Sequence, residues 1–466
     1  MPSGKIAAGP FRKSSRVAFL NFLRAKYDEY TGAVRVGSYP YYMVIEPSDL
    51  CQLRCPTCVT GIDNELRRRK VAGLVEHRRD RAMLTTELFD ALLDEMGEYL
   101  FLVTFYNFGE PLLNKHMPAL VRRARAQDVE TDLHSNLSLP LSDRFIEELL
   151  GAGLDSLCAS IDGFTQEVYQ VHRAGGDVEL AKANLTRLVR ARDRMGAPTR
   201  ITFNYLLFRF NEHEVPAAEA FCQDLGIELN VRAAFVHDPG WLPSYRAGER
   251  PVVVPEALAL PDQFSFELEG KKLHWMPFPE TLGFTASPAC AWHYGYSAVT
   301  AGGHVTPCCA VPSDEHDHGR VVPGRSRFAD VWNNPLYQAG RAAFAGKRDQ
   351  GANRVETICT RCPVPRFVHH LYSLHDFKVL GRFNEALRDA DPALADPVLA
   401  RAFDLLARVR YGAGLDGLFP GGAFRQPEPL FGDEHEKDTA PYVDFYRRHL
   451  AGTAGSYEAD ERSAMS

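Results

Sequence analysis

Short apolar segments recur along the first half of the chain, each followed by a segment with helical spacing of apolar residues. The apolar segments are six to nine residues long and rich in Val, Ile, Leu and Phe, which is typical of buried β-strands. They lie at residues 43–48, 101–106, 129–135, 154–162, 200–208 and 228–233. The pattern therefore predicts six strands separated by longer elements.

The segments between these strands have the apolar spacing of amphipathic helices. After Thr85 and Thr86, either of which is a suitable N-cap, Leu88, Leu92 and Met96 fall on one helical face. Six β–α units in series imply parallel strands joined by right-handed crossovers. Because six units do not close an eight-stranded barrel, the predicted fold is α/β, a partial (β/α)6 TIM-like barrel.

The same patterning divides the chain into regions. The barrel is assigned to residues 41–234, after an N-terminal helical extension at 1–40. A stretch rich in proline and aromatic residues suggests a linker or insertion. A late group of cysteines suggests a small metal-binding domain, and a helical stripe follows it. These parts are assigned to 235–285 for the linker, 286–365 for the small domain, 366–450 for a helical C-terminal extension and 451–466 for a disordered tail.

Composition and charge narrow the class of protein. Of the 466 residues, 45% are hydrophobic and 24% are charged, as in ordinary globular proteins, and the net charge of −7 argues against broad nucleic-acid binding. We find neither an apolar run long enough to cross a bilayer nor a signal-peptide pattern. We therefore expect a cytoplasmic protein without membrane or nucleic-acid partners, in which thiolates bind metal rather than form disulfides.

Three of the ten cysteines lie within eight residues, directly after the first predicted strand. Cys51, Cys55 and Cys58 offer soft thiolates, which suit an iron–sulfur cluster or zinc. Three thiolates on a [4Fe–4S] cluster leave one iron open to a small bidentate ligand. A zinc site completed by a distant residue is the alternative. The position at the carboxyl end of a strand, where β/α folds place their chemistry, favours the catalytic cluster.

Other strand ends carry polar or glycine-containing motifs. Gly109-Glu110-Pro111 follows the second strand and Ser135-Asn136 ends the third. On the fourth strand, two-residue alternation places four side chains on one face, which we expect to look into the barrel. These are Ser156, Cys158, Ser160 and Asp162, with Gly163 next in the chain.

The CxxxCxxC spacing and these strand ends resemble the radical S-adenosylmethionine (SAM) superfamily. The resemblance implies that the open iron binds the amino and carboxylate groups of SAM. An electron from the cluster then cleaves SAM to a 5′-deoxyadenosyl radical, which takes hydrogen from the substrate. Two positions depart from the family pattern: Thr57 stands where an aromatic residue is common, and Phe108 replaces the first glycine of the GGEP motif.

The resemblance also implies which residues contact SAM. The GGEP-like motif would receive the amino group, Arg173 the carboxylate and Asn204 the ribose. The non-functional interpretations are a turn with a solvated glutamate, a plain polar strand end and a surface arginine. The full predicted set is Gly109, Glu110, Pro111, Asn136, Ser160, Asp162, Arg173 and Asn204.

A second cysteine set lies late in the chain. Four thiolates fully ligate either another [4Fe–4S] cluster or a structural zinc. A turn over residues 301–304 predicts a hairpin that brings the first two of them together. The set resembles the SPASM/twitch extension of radical SAM enzymes, which implies one auxiliary [4Fe–4S] cluster. Its members are Cys290, Cys308, Cys359 and Cys362, with Cys309 as an alternative to Cys308.

The resemblance implies an oxidoreductase that takes hydrogen from a carbinol carbon of a small, sugar- or aminocyclitol-like substrate. An electron donor such as flavodoxin or ferredoxin is expected. A second hypothesis is a radical epimerase that uses Cys158 or Cys309 as a catalytic hydrogen donor, whereas Cys222 is interpreted as core. A third is modification of a peptide, and a fourth is an iron–sulfur or zinc protein without catalytic activity.

Overall fold

A computed structural model of the chain describes residues 11–70, 81–233, 241, 265–268, 271–274, 290–309, 311, 314–345, 355–361 and 379. Most of the predicted linker, Cys362, the C-terminal extension other than residue 379, and the predicted tail lie outside the described residues. The following description concerns the described part alone.

The first half of the chain alternates helices and strands, as its apolar pattern predicts. The elements are α1 (Arg16–Thr31), β1 (Tyr42–Ile45), α2 (Val59–Arg68), α3 (Thr86–Met96), β2 (Leu102–Phe105), α4 (Met117–Arg125), β3 (Glu130–Ser135), α5 (Asp143–Gly151), β4 (Ser156–Ser160), α6 (Gln166–His172), α7 (Val178–Met195), β5 (Arg200–Leu207), α8 (Val215–Leu225) and β6 (Glu228–Ala233).

The second half contributes shorter elements. They are β7 (Ser265–Leu268), β8 (Lys271–His274), β9 (Tyr296–Val299), β10 (His304–Thr306), β11 (Gly319–Arg320), α9 (Phe328–Trp332) and α10 (Pro335–Phe344). Strands β7 and β8 form a separate antiparallel pair.

One nine-stranded sheet organises the molecule, in the order β11-β10-β9-β1-β2-β3-β4-β5-β6. Strands β1 to β6 are all parallel and follow chain order, which confirms the six predicted β–α units. The predicted hairpin is present, since β9 and β10 pair antiparallel. In addition, β9 pairs parallel with β1, so the late segment continues the barrel sheet.

Side-chain caps fix where the helices begin. The Thr85 hydroxyl accepts a hydrogen bond from the backbone N–H of Leu88 at 3.2 Å, and the Asp177 carboxylate accepts one from Leu180 at 2.9 Å. Such caps satisfy backbone donors that have no partner within the helix. Helix α7 ends at Gly196, whose φ of 61° lies in the left-handed region that glycine adopts without strain.

The two faces of the parallel sheet differ in polarity. Leu133, Leu157 and Ala159 are fully buried and belong to the apolar core that includes residues of the surrounding helices. The alternate residues Asp132 and His134 on β3 are polar and half-buried. The polar face is therefore the inside of the partial barrel, as strand alternation predicts. Within the described residues, no helix has the length and apolar character needed to cross a membrane.

Candidate active site

The first cysteine loop connects β1 to α2 and is held by its own backbone. Cys58 is the N-cap residue of α2, and its N–H donates to the carbonyl of Cys55 at 3.2 Å. The Asn64 side-chain amide donates to the carbonyls of Cys51 and Leu53, both at 2.8 Å. Hydrogen bonds within the protein therefore fix the conformation of the loop that carries the three thiols.

The three thiols lie close enough together to affect one another's ionisation. Burial is the largest cause that raises the pKa of Cys51. The negative charge of Glu110 and the nearby thiols of Cys58 and Cys55 raise it further. Burial raises the pKa of Cys55 to about 12 against the opposing effect of Arg173. The raised pKa values mean that the protein alone does not stabilise the thiolate form of these cysteines. Metal binding favours the thiolate, so three neighbouring soft thiols fit an iron–sulfur cluster, whose iron ions supply the positive charge.

Glu110 is a buried carboxylate that joins the ends of β2 and β3. Its Oε1 accepts hydrogen bonds from the Ser135 hydroxyl at 2.7 Å and the Leu112 N–H at 3.0 Å. Its Oε2 accepts from the backbone and the side chain of Asn136, at 2.9 and 2.6 Å. Burial raises the pKa of Glu110, and these donors oppose that shift. The predicted residues Glu110 and Asn136 are therefore in direct contact.

Gly109 lies where a strand end meets the cysteine loop. A Cβ at this position would come within 1.6 Å of the carbonyl oxygen of Ser48, so only glycine fits. The next residue, Glu110, donates its N–H to the carbonyl of Leu50 at 2.8 Å. The second strand end is consequently fixed against the segment that leads into Cys51.

Asn136 also connects β3 to the cysteine loop. Its Oδ1 accepts from the Gln52 amide at 2.7 Å and from the Ser138 N–H at 2.9 Å, and its Nδ2 lies 3.9 Å from Cys51 Sγ. Gln52 and Ser138 are site residues that we did not predict, whereas Ser135 belongs to the strand-end motif that the sequence analysis singled out. Gln52 is a non-ligand position within the cysteine motif, and no pattern in the sequence marks it.

Asp162 is fully buried at the end of β4. Its Oδ2 lies 2.9 Å from Nδ1 of His172 and accepts from Nε of Arg173 at 2.5 Å, while Oδ1 accepts from the Leu206 N–H at 3.0 Å. Burial opposes ionisation of the carboxyl, but Arg173 and His172 outweigh burial and lower the pKa of Asp162 to about 2. Asp162 is therefore a carboxylate that positions a cationic side chain.

Arg173 and His172 extend this network back to the cysteine loop. The Arg173 guanidinium lies close enough to the Cys55 thiol to oppose the rise that burial causes in its pKa. Nε2 of His172 lies 2.7 Å from the hydroxyl of Thr57, the residue that replaces the family's aromatic side chain. His172 also packs on Phe208 at 4.6 Å between ring centroids. Sequence reasoning missed His172, although it directly precedes Arg173.

Ser160 and Asn204 are neighbours across β4 and β5. Asn204 is 8% exposed, and its side-chain oxygen has no hydrogen-bond partner among the described residues. A buried acceptor without a partner is rare and suits a ligand that brings a donor, such as a ribose hydroxyl. Contact of either residue with SAM stays a prediction.

The second cysteine set gathers beside α10. The carbonyl of Cys290 accepts from the N–H of His293 at 2.9 Å, and Nε2 of His293 lies 3.3 Å from Cys359 Sγ. Burial raises the pKa of Tyr337, and the thiols of Cys359 and Cys308 raise it further, so both thiols lie near this ring. Cys308 and Cys359 therefore lie near the same ring, Cys290 is linked to Cys359 through His293, and Cys362 lies outside the described residues.

Family models match both cysteine regions. The model of the radical SAM superfamily matches residues 45–222. The model of an iron–sulfur cluster-binding domain, SPASM, matches residues 290–363. The chain belongs to the radical SAM superfamily. Its cofactors are a [4Fe–4S] cluster, SAM and an auxiliary cluster in the SPASM domain.

Curated relatives of this radical SAM protein are peptide cyclases. A PqqA peptide cyclase of Xanthomonas campestris pv. campestris is 25% identical over 335 residues, which cover 70% of this chain and 79% of the relative. Another, of Xanthomonas axonopodis pv. citri, is 26% identical over 405 residues, 84% of this chain and 96% of the relative. Streptococcus suis SuiB bound to S-adenosylmethionine matches with a TM-score of 0.44 and 15% identity, over 65% of this chain and 68% of that one.

These relatives overturn the predicted reaction. The predicted oxidation of a small sugar- or aminocyclitol-like substrate at a carbinol carbon is wrong, because the curated relatives are peptide cyclases. The epimerase hypothesis has no support among them either. The physical reason is that the prediction used motifs expected to hold the clusters and SAM. Radical SAM chemistry is common to many substrates, so such motifs do not identify the substrate.

The predicted catalytic cysteines lie near two stacked rings of the radical SAM barrel. Cys158 faces His134 in the parallel register and raises the pKa of its imidazole, and Tyr106 opposes the rise that burial causes in the pKa of Cys309. The rings of Tyr106 and His134 stack at 5.0 Å between centroids, so they separate the two thiols. Nε2 of His134 lies 2.9 Å from Oδ2 of Asp132. Strand alternation on β3 would have identified Asp132 and His134 as inward residues.

Proposed function

We propose that this chain is a radical SAM enzyme that modifies a peptide by forming a bond within it. The observation that carries the proposal is its similarity to PqqA peptide cyclases over 79% and 96% of the length of two relatives. Such an extent includes both the radical SAM region and the SPASM region. Modification of a peptide thus replaces oxidation of a small molecule as the function that we propose.

The side chains around the first cluster are suited to hold SAM. When bound, the cluster on Cys51, Cys55 and Cys58 supplies the electron that cleaves SAM. Glu110 offers a buried carboxylate to the amino group, and Asn136 fixes its orientation through two hydrogen bonds. A carboxylate attracts an ammonium group strongly where water is excluded.

The opposite side of the same site offers a positive charge. Asp162 orients the Arg173 guanidinium next to Cys55, where it is available to the SAM carboxylate. Asn204 supplies the buried acceptor for the ribose. The three groups come from different strand ends, and this fixes SAM at its two charged ends and at its sugar.

The environment of the enzyme follows from its thiols. We propose a reducing cytoplasm, because all nine described cysteines are free thiols and a cluster needs thiolates that have not formed disulfides. An electron donor such as flavodoxin or ferredoxin supplies the reducing electron. We assign the radical SAM domain to residues 41–234 and the auxiliary domain to 286–365, limits that enclose the regions matched by the two family models.

The proposal is tested by anaerobic incubation of the reconstituted protein with SAM, dithionite and a randomised peptide library. We expect 5′-deoxyadenosine together with peptides that have lost two hydrogens, as bond formation between two C–H positions requires. A Cys51→Ala/Cys55→Ala/Cys58→Ala variant is the control and should give neither. Turnover of sugars or aminocyclitols with no change in any peptide would overturn the proposal.

A further inference from the structure

A buried histidine contacts one thiol of the second cysteine set. Nε2 of His293 lies 3.3 Å from Sγ of Cys359, and His293 is only 1% exposed, so water does not compete for this contact. In a cubane cluster each terminal ligand binds a different iron, so two ligating atoms stand farther apart than a hydrogen bond. The short distance therefore fits a donor to the sulfur of Cys359 rather than a further ligand of the cluster.

The direction of this hydrogen bond follows from the chemistry of the ligand. A thiolate bound to iron carries no proton and can only accept. Nε2 of His293 must therefore carry the hydrogen when Cys359 holds the cluster. The backbone of His293 is tied to the same set, because its N–H donates to the carbonyl of Cys290 at 2.9 Å. His293 thus links two of the predicted ligands.

Helix α10 leaves a space that the imidazole of His293 fills. A Cβ at Gly340 would come within 2.7 Å of Cε1 and 3.0 Å of Nε2 of His293, so the ring lies directly against the helix backbone. Glycine in the middle of a helix is unfavourable, so this glycine has a packing reason. Tyr337 and Phe344, on the same face of α10, contact the ring at 5.6 and 5.5 Å between centroids. These contacts fix the imidazole beside Cys359.

The same helix places a buried cation behind His293. The Arg341 guanidinium is fully buried, and its Nε donates to the backbone oxygen of His293 at 2.8 Å. Its other donors bond to two backbone oxygens and to the Asn333 side chain, and no carboxylate among the described residues forms an ion pair with it. Burial lowers the pKa of Arg341 to about 10. A buried cation without a paired anion is costly, and a cubane with four thiolate ligands is an anion.

We propose that His293, held in place by α10 and Arg341, donates a hydrogen bond to Cys359 and raises the reduction potential of the auxiliary cluster. Reduction adds a negative charge to the cluster. Hydrogen bonds to its sulfurs and a nearby positive charge stabilise this more negative form. His293 is therefore a positioning residue that acts through Cys359 and is not itself a ligand.

A raised potential has a use in the reaction, and only this use rests on the proposed function. A bond between two C–H carbons removes two hydrogens from the peptide. The 5′-deoxyadenosyl radical takes one as a hydrogen atom, and the other leaves as a proton, which passes to water, and an electron. That electron needs an acceptor in the same protein. An auxiliary cluster that His293 makes easier to reduce is suited to accept it.

A potentiometric titration of the reconstituted full-length protein, followed by EPR, measures the effect without any peptide. The auxiliary signal is the one that persists in Cys51→Ala/Cys55→Ala/Cys58→Ala. In His293→Leu we expect a midpoint potential lower by about 59 mV, which corresponds to a tenfold change in a one-electron couple. His293→Gln keeps an N–H donor and should shift the potential less. Equal potentials in wild type and His293→Leu, or equal shifts in the two variants, would overturn the inference.

His318 provides a matched control close to the same cluster. Its ring lies 6.0 Å from that of His293 between centroids and is equally buried, with 2% exposure. Its ring nitrogens have no hydrogen-bond partner among the described residues. His318→Leu therefore removes a buried imidazole without removing a contact to a thiol, and its midpoint potential should equal that of the wild type. A shift as large as that of His293→Leu would contradict the role of the contact with Cys359.

Pulsed EPR detects the contact in the wild type, so it decides the case even where a variant does not bind the cluster. In reduced protein labelled with ¹⁵N-histidine, we expect a weak ¹⁵N coupling to the auxiliary cluster that is lost in His293→Gln. No coupling, or one as strong as that of a nitrogen bound to iron, would overturn the inference. If the wild type modifies no peptide while the coupling and the potentials are as expected, the proposed function fails and the role of His293 stands.

Discussion

The ion pair between Asp162 and Arg173 offers a quantitative prediction. Asp162→Asn keeps the size of the side chain but removes the charge that faces the Arg173 guanidinium at 2.5 Å. Asp162 is fully buried and the Arg173 side chain is 14% exposed, so water does not replace the lost partner. His172 loses its carboxylate contact in the same substitution.

The magnitude follows from burial and from pKa. Breaking a buried pair by neutralising one partner costs about 3 to 5 kcal/mol, because the other charge stays buried. The pKa of Asp162 is lowered to about 2 from an ordinary value of 3.8. Its ionisation therefore stabilises the fold above the unfolded pKa, near ~4, by roughly 2 kcal/mol, and this contribution is lost as pH falls through about 2. We expect Asp162→Asn to lower the free energy of unfolding by about 3 kcal/mol at neutral pH.

Urea unfolding followed by tryptophan fluorescence measures this loss in Asp162→Asn, Arg173→Met and the double variant. The double variant should be less destabilised than the sum of the two single variants, since neither charge is then left alone. Glu148→Gln is the control, because its pair with Arg144 is exposed to solvent and its loss should leave the free energy of unfolding nearly unchanged. A loss below about 1 kcal/mol in Asp162→Asn, or strict additivity in the double variant, would refute the reasoning.

Three further outcomes follow from the site. Glu110→Gln should weaken SAM binding by about tenfold or more in equilibrium dialysis, because it removes the charge offered to the ammonium group; unchanged affinity would exclude that contact. Gly109→Ala should reduce the yield of folded, cluster-containing protein, since its Cβ would meet the backbone oxygen of Ser48 at 1.6 Å; a normal yield would contradict the close approach. Anaerobic iron analysis of Cys290→Ala/Cys359→Ala should fall from about eight irons to about four, and bound zinc or no loss of iron would contradict an auxiliary [4Fe–4S] cluster.

Patterns within short segments of the sequence predicted the features that such segments determine by themselves, namely the strands, the helices and the cysteine loop. Apolar runs and helical stripes predicted the six β–α units, and thiol spacing predicted the cluster loop. The contact between Glu110 and Asn136 was also within reach, because parallel strands bring their carboxyl ends to one edge of the sheet. In each case a short segment, or the known geometry of neighbouring parallel strands, contains enough information to predict the feature.

Contacts between distant segments were missed. The pairing of β9 with β1 joins residues more than 250 positions apart, and no local feature of either strand names the other as its partner. The hydrogen bond between Thr57 and His172 likewise depends on how α6 packs against the cysteine loop. The substrate class was wrong for a different reason: cluster and SAM ligands are required whatever the substrate is, so their motifs do not distinguish a peptide from a sugar.

The most direct test of peptide modification by a SAM-derived radical is hydrogen transfer from a labelled peptide. A peptide modified by the enzyme is synthesised with deuterium at its carbon-bound positions and incubated with SAM and dithionite under anaerobic conditions. We predict deuterium in the methyl group of 5′-deoxyadenosine, together with a peptide that has lost two hydrogen isotopes. Formation of 5′-deoxyadenosine without deuterium, while the peptide is still modified, would contradict radical abstraction from the peptide.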